Sequence, residues 1–375
     1  MEESIPLKNG DLQVGSPIGW DVFDRDGNLL LRKGYQISSE KQISRLIHSG
    51  LFRQANDDIH ERKKVKAIET QFNPFDELAI IQERFESLIN NIAEMDDFYS
   101  KVLSLLQKID NLCIEYPDSV LGYIHLLEHE RYSIKHALQK ALLAGVLASM
   151  IEFDPGNKVS LIGAALTANI SMMKLQDKLA CQSGPLTDEQ RESIRHHPVR
   201  SIKLLKRKEV FDEEWLVAIY HHHERCNGKG YPENLSADDI HSSAKIVAVC
   251  DRYAAAIANR EYRSSLLPNE GLKTLFTDML NEYDEQVRII LIKVLGIYPP
   301  GCFVKLANGE TAVVIKRNFE NSKCPIVASL YGADGHPFMG PIKRDTSFPD
   351  YEIRKAVKIE HKLHLPLGKI WGFIK

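Results

Sequence analysis

Residues 222–232 read His222-His223-Glu224-Arg225-Cys226-Asn227-Gly228-Lys229-Gly230-Tyr231-Pro232. The apolar residues Trp215, Leu216 and Ile219 just before them have helical spacing. Gly228, Gly230 and Pro232 then restrict the following stretch to a loop. Adjacent imidazoles leave a helix end in different directions, so such a pair can serve two neighbouring metal ions where a lone histidine serves one. The run asks for a helical frame that ends in a fixed, histidine-bearing loop.

The surrounding sequence supplies that frame. From about Ser119 to Gly296 the apolar pattern is helical throughout, broken at Asp154-Pro155-Gly156, Ser183-Gly184-Pro185 and Leu267-Pro268. Thr187, with Asp188, Glu189 and Gln190 behind it, predicts an N-capped helix start. Upstream, Leu78, Ile81, Phe85, Leu88, Ile92 and Met95 predict an amphipathic helix, and Val102, Leu105, Leu106, Ile109 and Leu112 a second. Their seam is too short for a coiled coil; packing on the neighbouring domain is expected, with homodimerisation as the alternative.

The two ends of the chain read differently. Trp20–Phe23 and Leu29–Leu31 flank the turn Asp24-Arg25-Asp26-Gly27-Asn28 and predict a β-hairpin. Glycine stands fourth in that turn, not sixth, which argues against a calcium loop. Ser39 and Gln42 resemble a capping box for a helix using Ile43, Leu46 and Ile47. After Pro300-Gly301 the period changes to strands. Cys302–Leu306 and Thr311–Lys316 flank Asn308-Gly309, and Pro325–Tyr331 with Gly335–Met339 suggests a second hairpin. The terminal stretch with Trp371 and Phe373 is expected to pack on its own domain. The expected organisation is an accessory α+β unit over 1–55, a linker and connecting helices over 56–115, a helical bundle over 116–298 and a β-rich appendage over 299–375. The fold class is mainly α.

Composition excludes several functions. The 375 residues carry a formal net charge of −3, which argues against nonspecific nucleic-acid binding. The six cysteines include no C-x-x-C pair, so free thiols in a reducing cytosol are expected. The start lacks the basic and apolar regions of a signal peptide, and the longest apolar stretch is too short to span a membrane. The expected location is the cytoplasm. Phosphate-loop, H-E-x-x-H and G-x-S-x-G patterns are absent. His125 and His129, four apart, are expected at the surface.

The 222–232 run resembles the signature of HD-GYP domains, a bacterial branch of the HD-type metal phosphohydrolases that hydrolyse cyclic di-GMP. The resemblance spans about 130 to 298 and implies an HD-type helical bundle. It places metal ligands at His136, His197, His222, His223 and Asp251. Where the family has its His-Asp pair and a phosphate-facing lysine, this chain has Ala168, Asn169 and Met172. Alanine cannot ligate, and a neutral amide cannot bridge two cations as a carboxylate does. Tyr132 stands where many active members have a glutamate, and Asn227 where the loop aspartate is usual. Lys174 lies on another helical face from Met172 and is a poor replacement. His196 and His221 are additional to the family pattern, with surface or helix-end roles expected.

The resemblance implies cyclic di-GMP signalling with a degenerate, non-hydrolytic domain that senses nucleotide or docks a protein such as a diguanylate cyclase domain. The recognition loop would use Arg225, Gly228, Lys229, Gly230, Tyr231 and Pro232, together with Arg263. No intact dinuclear centre is expected, but one weakly bound divalent metal (Fe, Mn or Zn) is compatible with the remaining ligands. Two alternatives stay open: a working phosphodiesterase with a remodelled site, and a regulatory scaffold that binds neither nucleotide nor metal.

Overall fold

The computed structural model describes residues 72–151, 153–258, 266–277, 280–359 and 365–374, with short stretches between 4 and 54. The chain divides into two compact units, Met1–Gln71 and Phe72–Lys375. In the first, strands β1 (Ser4–Pro6), β2 (Val22–Phe23), β3 (Leu29–Leu31) and β4 (Phe52–Gln54) form an antiparallel sheet in the order β1-β4-β2-β3. The β2–β3 pairing is the hairpin expected from sequence, and its turn lies outside the described residues. Leu12, Ile18, Val22, Ile37 and Ile43 make a small core. Most of the expected helix after Ser39 lies outside the described residues.

The second unit begins with α1 (Pro74–Asn90), whose start combines an Asn73 cap on the Phe75 N–H, Pro74 in the first turn and early acids Asp76 and Glu77. These groups answer the unpaired N–H groups and positive end of a helix. The helix ends before Ile92, so the seam is shorter than its apolar pattern suggests. Leu78, Ile81, Phe85 and Leu88 are buried in the same core as Leu105, Leu106 and Ile109 of α2 (Phe98–Glu115). That apolar face is satisfied within the unit.

There follow α3 (Pro117–Leu126), α4 (Tyr132–Met150), α5 (Pro155–Thr167), α6 (Met173–Ala180), α7 (Asp188–Arg195), α8 (His197–Arg207), α9 (Glu213–His221), α10 (Ser242–Ile257), α11 (Pro268–Thr277) and α12 (Glu285–Leu295). Helix α4 is buried along almost its whole length and lies among α2, α3, α5 and α10. Each fully buried leucine there contributes about 1.5–3 kcal/mol relative to exposure. Thr187 caps α7 as expected, and Gln190 returns a bond to the Thr187 N–H to close a capping box. Asp212 caps α9 by accepting the Trp215 N–H.

Strands β5 (Phe303–Leu306), β6 (Thr311–Lys316), β7 (Ile326–Tyr331), β8 (Pro337–Asp345) and β9 (Ile353–Ala356) form an antiparallel sheet ordered β8-β7-β6-β5-β9. Both expected hairpins are present, whereas β9 had no distinct sequence signal. This sheet belongs to the same compact unit as the helices. Arg317 pairs with Asp118 near the start of α3 and donates to the Val294 carbonyl at the end of α12. Terminal helix α13 (Leu367–Trp371) places the Trp371 indole over Gly122 and edge-on to Phe75, at 5.0 Å between centroids. The tail therefore packs on the helices as well as the sheet. Among the described residues, no helix is long and apolar enough to cross a membrane.

Candidate functional site

Four helices bring the expected ligands together. Helix α4 carries His136, α8 begins at His197, α9 runs directly into His222 and His223, and α10 carries Asp251. The turn after α5 holds Ala168 and Asn169, both buried. It is tied to α8 by Ser201 Oγ, which donates to the Ala168 carbonyl, and Ser171 Oγ, which donates to the His197 carbonyl. The segment expected to correspond to the family's His-Asp pair is thus tied to the histidine-bearing helix.

His197, His222 and His223 present ring nitrogens within 4.8 Å of one another. His197 Nδ1 lies 2.5 Å from the Ile194 carbonyl and His222 Nδ1 2.6 Å from the Ile219 carbonyl. A carbonyl only accepts, so each Nδ1 carries a proton and donates it. Burial opposes the charged form of His197 and pushes its pKa down to about 4. Burial, with the neighbouring His197 and Lys140, holds His222 well below the usual range. Burial likewise depresses His223, with His222 and His197 adding to the effect. In neutral rings of this tautomer, both Nε2 atoms are lone-pair donors, yet they face each other at 3.3 Å. Two opposed lone pairs call for a shared cation, and backbone-fixed tautomers are the usual support of metal-ligating histidines. The three histidines fit one divalent ion, with nitrogen donors suited to Zn, Fe or other imidazole-binding metals.

His136 and Asp251 are arranged otherwise. His136 Nε2 lies 3.0 Å from Asp251 Oδ1, and Lys140 Nζ lies 3.2 Å from the same oxygen. The Lys140 side chain has 0% exposure. Burial alone would raise the Asp251 pKa, but Lys140 and His136 outweigh it and hold the carboxyl well below its ordinary value. Asn169 Oδ1 is buried without a hydrogen-bond partner among the described residues. An amide oxygen there is a weak neutral donor, not a bridging anion. The donor set does not fit a dinuclear centre.

Lys140 was missed by sequence reasoning. It lies one turn beyond His136 on the same helical face, followed by Ala141, Leu142 and Leu143. That i, i+4 relation, inside a helix with no polar face, was the available signal.

The remaining sequence-assigned residues are distributed as follows. Tyr132 stacks on His136, with centroids 5.3 Å apart. Met172 is partly buried and Lys174 exposed. Asp177, the acid nearest in sequence after Asn169 and so the candidate carboxylate for a remodelled site, instead accepts from Ser133 N and Oγ and pairs with Arg131 at the start of α4. His196 is exposed between two helices, whereas His221 is partly buried 3.6 Å from Glu233. His125 is not a surface residue: it bridges the Pro300 carbonyl and the Tyr253 hydroxyl at 2.7 and 2.8 Å. His129 is also largely covered, 3.1 Å from Glu86.

In the loop, a side chain on Gly230 would collide with the backbone of Glu224 and Arg225. Gly228 has φ 72°, a conformation that favours glycine. Tyr231 stacks on His223 at 4.8 Å, with a cis peptide bond to Pro232. Arg225 lies over the Tyr283 ring and 3.8 Å from Glu282, while Lys229 is exposed. Arg263 lies outside the described residues. Sequence reasoning also passed over Glu224, whose buried carboxylate accepts the backbone N–H groups of Glu233, Asn234 and Leu235 at 2.7, 3.1 and 2.9 Å. It fixes the far side of the loop.

A family model described as an HD domain matches residues 124–287. The matched segment, just under half of the chain, is similar to an HD domain. The cyclic di-GMP phosphodiesterase PA4108 of Pseudomonas aeruginosa is 28% identical over 230 residues, covering 61% of this chain and 55% of that protein. The cyclic di-GMP phosphodiesterase PdeB of Borreliella burgdorferi is 23% identical over 196 residues, covering 52% of each. The chain thus spans about half the length of these curated relatives. Among solved structures, Bd1817, a HDG"Y"P protein from Bdellovibrio bacteriovorus, superposes with a TM-score of 0.52 at 17% identity, covering 78% of this chain and 99% of that one. This likeness supports the HD-type fold around the four site-bearing helices.

Proposed function

We propose that this chain is a cytoplasmic cyclic di-GMP signalling protein whose HD domain recognises nucleotide or a protein partner without hydrolysing the nucleotide. The observation that carries the reading is twofold: a buried, unpartnered Asn169 oxygen at the position expected to bridge two metals, and an Asp251 already engaged by Lys140. Phosphodiester hydrolysis in such a site uses two ions to clamp the phosphoryl oxygens and activate water. The histidine trio offers a place for one. The matching relatives named as cyclic di-GMP phosphodiesterases support the choice of nucleotide.

Recognition is assigned to the 225–232 loop with Arg263, where exposed Lys229 offers a cation to phosphate or to an acidic group on a partner such as a diguanylate cyclase domain. A bound metal at His197, His222 and His223 would supply positive charge behind Tyr231. Purified protein should bind cyclic di-GMP in a calorimetric titration, with binding weakened at least fivefold by Lys229→Ala. Neither linear pGpG nor GMP should form with Mn, Fe or Zn. Metal-dependent turnover abolished by His222→Ala would establish the remodelled-phosphodiesterase alternative and overturn this proposal. Absence of nucleotide binding would favour the scaffold reading.

A further inference from the structure

We infer that Lys140 is a built-in cation that takes the place of a metal ion at the His136–Asp251 end of the site, so the domain holds at most one divalent ion, at His197, His222 and His223. The inference is independent of which nucleotide the domain recognises. It begins with the cost of placement. A fully buried lysine is rare because removing an ammonium from water is unfavourable unless an anion compensates it. Among the described residues Asp251 is its one anionic partner, at 3.2 Å.

The geometry then excludes a divalent ion at the same place. Asp251 Oδ1 already lies at hydrogen-bond distance from His136 Nε2 and in an ion pair with Lys140 Nζ. Because His136 Nε2 faces a carboxylate oxygen at hydrogen-bond distance, it holds a proton there, and that nitrogen presents no lone pair to a metal while the contact lasts. A divalent ion bound by Asp251 would also stand beside the ammonium, and like charges repel most strongly where water is excluded. Lys140 and His136 therefore place two donors against one Asp251 oxygen, and the lysine supplies the positive charge there. The histidine trio has no carboxylate of its own among the described residues, and its opposed nitrogens keep the demand for a cation. The site is divided into a covalently attached charge and an exchangeable one.

The test uses the full chain, with Lys140→Met, Asp251→Asn and the double variant, because methionine preserves much of the lysine stem's volume. Metal per chain is measured after dialysis against Mn²⁺ or Zn²⁺, and melting is followed in chelator and with added Mn²⁺. Wild type should take no more than one equivalent, lost in His222→Ala. In chelator, Lys140→Met should melt roughly 5–10 °C lower, because the largely buried Asp251 carboxylate loses its ammonium partner and keeps only His136. The double variant should recover most of that loss. Added Mn²⁺ should raise the melting temperature of Lys140→Met more than that of wild type or of the double variant. If Lys140→Met fails to fold, the double variant folding supports the pairing, and its melting as low as Asp251→Asn alone overturns it. Two equivalents in wild type, or a Lys140→Met melt in chelator equal to wild type, would also overturn the inference.

Discussion

Replacing Glu224 with alanine tests whether the Gly-Tyr-Pro loop is held in place by one buried carboxylate. The three backbone N–H groups it accepts, from Glu233, Asn234 and Leu235, form bonds of 2.7, 3.1 and 2.9 Å. Hydrogen bonds to a charged group contribute about 1.5–3 kcal/mol each. Glu233 and Asn234 are exposed, however, so water can replace part of what they lose. The Leu235 bond and the cavity left by the side chain keep most of their cost. Together these terms give a destabilisation of roughly 2–4 kcal/mol for Glu224→Ala. Glu224→Gln keeps an acceptor for Glu233 and Asn234 but turns an amide towards the Leu235 N–H, costing about half as much. Urea unfolding of both variants, read by near-ultraviolet circular dichroism, gives the comparison. A Glu224→Ala value within about 0.5 kcal/mol of wild type, the range of an ordinary surface substitution, would refute the reasoning. So would a glutamine variant as unstable as the alanine one.

Two further predictions concern buried positions. Because Ala168 is fully buried, Ala168→His with Asn169→Asp should destabilise the protein by about 1–3 kcal/mol through overpacking, and, with the Lys140 ammonium held on Asp251, metal content should rise only when Lys140→Met is added; elemental analysis of the two combinations decides this. Burial holds the His125 pKa down to about 4 against an ordinary value of 6.5, so the unfolded chain takes up that proton first: stability should be unaffected by this group above pH 6.5 and fall as pH drops from 6.5 towards 4. His125→Gln should flatten that window in thermal melts, and an unchanged pH profile would refute the assignment.

The local features of this chain were largely legible because they depend on neighbours in sequence. The Thr187 cap, the Asn308-Gly309 hairpin and the apolar stripes of α1 and α2 are set by groups a few residues apart. The histidines were found as well, since their resemblance to a known pattern names them one by one. Lys140 was not, because a lysine four residues after a histidine reads as a solvated side chain until α10 brings Asp251 against it. His125 failed for the same reason: its partners, Tyr253 and Pro300, come from distant parts of the chain. Strand β9 lacks a hairpin partner beside it in sequence and joins the sheet only by returning to β5. What sequence periodicity does not carry is the closing of charges and edges across long separations.

The contact between Trp371 and Phe75 also sets an order of events during synthesis. Phe75 leaves the ribosome near the beginning of the second unit, and Trp371 near its end. At roughly 5–20 residues per second, tens of seconds separate the two. Throughout that interval α1 can pack its Leu78–Leu88 face on α2, but the Phe75 ring has no indole to close over it. A nascent chain of this protein therefore lacks the Trp371 cover over Phe75, at the first helix of its second unit, until that unit's final described helix arrives, which is the period in which a chaperone has something to hold.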